Sequence, residues 1–176
     1  MTIALYATIW VALALFVAGE AGKPAPLSGR GRGHGEAQAA TRGSRAWRVW
    51  AIGALLAAVH IPIAFAARYD WSHLAAEQET ARRTAEMFGV YWAGGVFVNY
   101  LFIAAWLVEA WWWRARPAGY ARRPAWLVWT LRGFYLIIIV NAAVVFASPI
   151  GRWPGAALVA ALVWIWRPRP RAPSIA

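Results

Sequence analysis

Cysteine is absent from all 176 residues. That absence removes disulfides, covalent c-type haem, iron–sulfur clusters and thiol nucleophiles together. Acidic side chains are scarce as well, 7 against 18 Lys and Arg, which leaves a formal charge of +11. Histidine occurs only 3 times. No Walker motif, Gly-x-Ser-x-Gly elbow or His-Glu-x-x-His pair appears, so no catalytic motif gives enzyme activity positive support. Room for a separate soluble domain is lacking too, because apolar runs take up most of the chain.

Those runs cover roughly 2–18, 47–67, 88–113, 125–147 and, more weakly, 153–166. Hydrophobic residues make up 61% of the sequence, above the usual half of a soluble chain. Stretches of about 20 apolar residues cross a hydrocarbon layer as helices, since only internal pairing satisfies every backbone N–H and C=O there. The expected fold is therefore all-α: a polytopic membrane helix bundle of five transmembrane helices, the fifth short, plus a short outer surface helix.

Basic residues give that bundle an orientation. Lys23, Arg30, Arg32, Arg42, Arg45 and Arg48 flank the first loop, Arg114, Arg116, Arg122 and Arg123 the third, and Arg167, Arg169 and Arg171 the tail. In the second loop Arg68, Arg82 and Arg83 are offset by Asp70, Glu77, Glu79 and Glu86, and the fourth loop has only Arg152. The positive-inside bias places the first loop, third loop and C-terminus in the cytoplasm. It accounts for the positive charge without a specific nucleic-acid partner.

The resulting organisation starts with residues 1–18 as a first span with its N-terminus outside, 19–46 as a flexible basic cytoplasmic loop and 47–67 as the second span. An outer loop with the surface helix follows at 68–87, then the third span at 88–113 and a basic cytoplasmic loop at 114–124. The fourth span is 125–147, the outer turn 148–152, the fifth span 153–166 and the basic tail 167–176. Positive charge follows the first run rather than preceding it, the pattern of a retained anchor and not of a cleaved signal peptide. The setting is a multi-pass protein of the cell membrane, the inner one in a bacterium, with the lipid bilayer and other membrane-complex subunits as partners.

Most of the 14 tryptophans fall near the ends of these runs and are expected to anchor at the headgroup level. The glycine- and arginine-rich segment 19–44, with Gly-Arg-Gly-Arg-Gly-His-Gly at 29–35, reads as a solvated linker. In the outer loop, 73–87 contains no Gly or Pro and reads as a helix capped by Asp70 or Ser72, with Glu79–Arg83 and Arg82–Glu86 spaced to pair.

Polar residues inside the apolar runs are the candidates for function, because burial in lipid is costly and turns them toward the bundle. His60 shares a helical face with Gly53, Ala57, Ala64 and Ala67. Asn99 lies near the middle of its run and Asn141 in the outer half of the next, so depth alone permits a ligand-binding His60–Asn99–Asn141 cluster, closed by Tyr100 and walled by Trp92. Interhelical hydrogen bonding explains the same residues. Glu109 and Arg132 reach similar depth on antiparallel neighbours and are expected to form a structural ion pair. Asp70, His73 and Glu77 stand at i, i+3 and i+7 and offer a divalent metal O, N and O ligands, although capping and solvation account for them too.

Together these features point to a non-enzymatic membrane subunit or small-ligand-binding bundle. One alternative is an electron-transfer subunit holding haem b or a quinone through His60. Bis-histidine haem ligation would need His73 folded back over His60. The other alternative is metal binding at Asp70, His73 and Glu77.

Overall fold

A computed structural model describes residues 2–23 and 36–167, with side chains from 3–23 and 43–167. It is helical, with no strand among the described residues. In chain order the elements are α1 (Thr2–Gly22), α2 (Glu36–Arg68), α3 (His73–Phe88), α4 (Gly95–Ala115), α5 (Pro117–Ala121), α6 (Ala125–Val140) and α7 (Arg152–Trp166). A π-helical turn, Asn141–Val145, extends α6. The whole 29–35 repeat, the remainder of 24–35 and the tail 168–176 lie outside the described residues.

Four segments are long and apolar enough to cross a membrane: Ile3–Gly22, Gly43–Arg68, Gly95–Ala115 and Ala125–Val145. Only 22–33% of their apolar cores is buried inside the bundle. Ile52, Leu55, Val59, Leu101, Val108 and Ile137 are all more than half exposed. Their apolar faces need a non-aqueous surrounding. The fifth apolar helix, α7, has 15 residues, about 22 Å of helix against a hydrocarbon core of about 30 Å.

Small residues let the helices approach. Ala12 on α1 meets Ala54 and Ala57 on α2 within one fully buried cluster. A Cβ on Gly19 would come within 2.9 Å of the Trp50 ring, and one on Gly22 within 2.6 Å of the Ala46 Cβ. α1 and α2 make the largest interface, α4 packs on α2 and α6, and α7 closes against α1, α6 and the π turn. The closest crossing lies there: a Cβ on Gly155 would sit 1.9 Å from the Ala143 carbonyl oxygen.

An aromatic cluster fills the centre. Phe16 lies 4.5 Å from Trp50 and 4.8 Å from Trp106, and Tyr135 closes the cluster 5.2 Å from Phe16. Trp50 and Trp106 are fully buried, whereas Trp111, Trp126, Trp153 and Trp164 are exposed. The anchoring role expected of most tryptophans therefore does not extend to Trp50 and Trp106. They occupy the gaps beside Gly19 and Gly53, where only an unsubstituted backbone leaves room for an indole.

Helix enters both ends of the segment 19–46. α1 runs to Gly22, and α2 begins at Glu36, eleven residues before Trp47. Glu36-Ala-Gln-Ala-Ala consists of strong helix formers, and the glycines and prolines that oppose helix are concentrated before residue 36. Conversely, residues 89–94 of the third apolar run are not helical: α3 ends at Phe88 and is capped by Gly89, whose φ of 72° is left-handed, and α4 starts at Gly95.

Between α2 and α3, Asp70 and Trp71 adopt left-handed backbone with φ of 48° and 60°. Trp71 N–H and Tyr69 N–H both donate to the Phe65 carbonyl. The chain thus reverses in four residues, and Ser72 Oγ then caps α3 by accepting from Ala75 N–H at 3.1 Å.

Candidate functional site

Polar side chains gather at two places, one near the α3 end of the bundle and one at the opposite end, where the basic loops join.

At the α3 end, His60 on α2 faces α1. Its Nδ1 lies 3.1 Å from Thr8 Oγ1, and the Thr8 hydroxyl lies 2.8 Å from the Ala4 carbonyl of its own helix. A hydroxyl has one proton. Donated to Ala4, it leaves Oγ1 free to accept from Nδ1, and in the tautomer that carries its proton there Nε2 is an acceptor. His60 lines two cavities that share a wall. The larger holds about 640 Å³ and is edged by Tyr6, Arg68, Tyr69, Glu79 and Arg83. The smaller, about 250 Å³, is mostly apolar, with Phe65, Phe102, Ile103 and Ile138 beside Asn99 and Tyr100.

His60, Asn99 and Tyr100 therefore share one cavity. Asn141 does not line either cavity: its Nδ2 donates to the Ile137 carbonyl of its own helix at 2.8 Å. Trp92 also lies elsewhere, half-exposed and folded over Gly94, where a Cβ would meet its ring at 2.2 Å.

His73 Nδ1 and Glu77 Oε1 pair at 2.8 Å one turn apart on α3. Asp70 does not join them, because it belongs to the left-handed turn before the helix begins. Among the described residues no three His, Cys, Asp or Glu side chains are placed to hold a metal ion. The spacing i, i+3, i+7 needed an unbroken helix from residue 70. On the exposed side of α3, Glu79 accepts from Arg82 and Arg83 at 2.9 and 2.6 Å, which holds its carboxyl down at about 2.

The opposite end holds a buried network of charges. Glu20 comes from α1, Lys23 from the residue just after it, Glu109 from α4, Tyr120 from α5, Arg123 from the following link and Tyr135 from α6. Lys23 Nζ contacts Glu20 Oε1 and lies 2.9 Å from Glu109 Oε1, and it stands 3.3 Å above the Trp50 ring. Tyr120 and Tyr135 hydroxyls donate to the two oxygens of Glu109 at 2.5 and 3.0 Å. Trp166 Nε1 donates to Glu20 Oε2 at 2.7 Å, joining the end of α7 to the end of α1. Burial and the adjoining Glu109 carboxylate push the Tyr120 phenol far above its ordinary range.

Glu109 and Arg132 both face this network, with different direct partners. Glu109 is held by Lys23 and the two tyrosines, whereas Arg132 comes within 3.9 Å of Glu20. Helical depth places both residues at one level. Azimuth decides the pairs: the Glu20 and Lys23 side chains, three residues apart at the end of an apolar run, meet Arg132 and Glu109 respectively. That i, i+3 pair was the available sequence signal; Lys23 alone looks like an ordinary flanking charge. Thr8 gave no signal, because a lone Thr in an apolar helix usually bonds its own backbone.

Neither a family model nor a curated protein nor a solved structure matches the chain.

Proposed function

We propose that the chain is an integral membrane protein of the cell membrane that binds a small amphiphile, a quinone-like or lipid-like molecule, at His60. The observation that carries this reading is that His60 borders both cavities. One is rimmed by Tyr6, Arg68 and Arg83, the other by apolar side chains. Ligand sites of this kind combine an apolar lining with a few polar groups that fix orientation, in volumes of roughly 300–1,000 Å³. A polar head meets the imidazole and the rim, and an apolar tail enters the smaller chamber beside Asn99 and Tyr100. With Nδ1 oriented by Thr8, Nε2 accepts a hydrogen bond from a ligand hydroxyl.

The outward apolar faces and the basic residues at one end support insertion with the N-terminus outside and five crossings, α7 being the short one. Ser72→Cys in this cysteine-free chain tests that orientation: labelling by an impermeant maleimide from outside intact cells supports it, and labelling only from the cytoplasmic side overturns it. Organic extraction and mass spectrometry of protein purified in mild detergent test the ligand. A species enriched in the wild type and depleted in a folded His60→Leu variant supports the site. Equal content in both overturns it, and a Soret band lost with His60 replaces the amphiphile by haem.

A further inference from the structure

In the charge network at the basic end every carboxylate oxygen is engaged, while a guanidinium donor is left over. Each carboxylate oxygen of Glu20 and Glu109 already receives Lys23, Trp166, Tyr120 or Tyr135. The Arg123 side chain is only 7% exposed, and its Nε–H is buried without a partner. Its Nη1 donates to the Tyr120 carbonyl at 2.7 Å, and its Nη2 stands 3.9 Å from Glu109, too far for a hydrogen bond. Arg132 approaches Glu20 only to 3.9 Å and is otherwise held over the Trp129 and Trp166 rings. Three cations face two carboxylates, so the network carries one net positive charge.

Beside these groups is a void of about 10 Å³, bordered by Arg123, Arg132, Lys23, the two carboxylates and Tyr135. That figure is the space open to the centre of a water-sized sphere, so one small occupant, a water or a monatomic ion, fits there. Burying an uncompensated charge is costly, and an unmet buried guanidinium donor adds to that cost. An occupant that only accepts hydrogen bonds and carries one negative charge removes both penalties. Water removes only one. We propose that this void binds a single monatomic anion of the chloride class between Arg123 and Arg132. The fold of the network thereby depends on a halide, independently of any ligand at His60.

Thermal unfolding of the purified full-length protein in detergent tests this, with chloride titrated against gluconate at fixed ionic strength. Chloride is expected to raise the wild-type Tm saturably by roughly 2–4 °C per kcal/mol of linkage. Bromide should act in the same way and appear as an anomalous scatterer between the two guanidinium groups. Arg123→Gln should unfold at a temperature independent of chloride. If that variant does not fold, Arg132→Gln, altered at a partly exposed side chain, should weaken the apparent chloride affinity at least ~10-fold, whereas Arg152→Gln at the far end should leave it unchanged. Identical wild-type Tm in chloride and gluconate overturns the proposal and assigns the void to water. A chloride response that persists in every folded variant of Arg123 and Arg132 overturns it equally.

Discussion

Lys23 and Glu109, 86 residues apart in the chain, pair at 2.9 Å with about 5% of either side chain exposed. The pair ties α1 to α4 at a depth where neither charge could stand alone. Removing one partner of a buried pair leaves the other uncompensated, a loss of about 3–5 kcal/mol, while replacing both by apolar residues is often close to neutral. Lys23→Met and Glu109→Leu are each expected to lower the unfolding free energy by several kcal/mol. The double variant should lose clearly less than their sum. Denaturation of all four forms in the same detergent gives the cycle, and simple additivity would show that the two residues are not coupled.

The crossing of α7 over the π turn should be intolerant of a single methyl group. A Cβ at Gly155 has the Ala143 carbonyl 1.9 Å away and cannot be accommodated by rotating a side chain. Gly155→Ala is therefore expected to displace α7 at a cost of about 1–3 kcal/mol. Gly133→Ala, where nothing lies within 4 Å of the added Cβ, should change stability little and serves as the comparison. Equal Tm values for the two variants would refute the close crossing.

α3 should respond to acid in a defined window. Glu79, paired with Arg82 and Arg83, has its carboxyl lowered from 4.5 to about 2. A carboxyl depressed in the folded state stabilises fully above its unfolded value. That contribution declines as pH falls from about 4.5 and is gone below about 2. The pairs are solvent-facing, so the size is a few tenths to about 1 kcal/mol. Glu79→Gln should flatten this part of the stability–pH curve and leave the neutral limb parallel to wild type; an unchanged acid limb would exclude the carboxylate as its source.

Thr8→Val should separate orientation from packing at His60. The substitution keeps the shape of the side chain and removes the oxygen that meets Nδ1 at 3.1 Å. About 1 kcal/mol of stability should be lost. The proton is then free to move to Nε2, so the bound species recovered from the protein should fall while the fold persists. Unaltered ligand content would mean that Thr8 does not orient the ring.

Why some of this was legible in the sequence and some was not follows from dimensionality. Apolar runs are one-dimensional signals, and the all-helical bundle with its long apolar helices follows from them because lipid-exposed backbone leaves no alternative. Depth is also one-dimensional, which brings Glu109 and Arg132 to one level. Azimuth is not, so Glu109 pairs with Lys23, and Arg132 approaches Glu20 instead of Glu109. Asn141 illustrates the local counterpart. Its amide turns back to Ile137 within its own helix, and no periodicity announces the π turn that begins there. Trp50 and Trp106 look like any interfacial indole until Gly19 and Gly53 on neighbouring faces reveal the space for them.

The hydrogen bond from Trp166 to Glu20 joins residues 146 positions apart, near the two extremes of the described chain. During synthesis Glu20 is made 146 residues before its indole partner, and Lys23 precedes Glu109 by 86. Without α7, Glu20 would keep Lys23 and lose only the donor on Oε2, so the contact that closes the bundle is also the one the chain completes late.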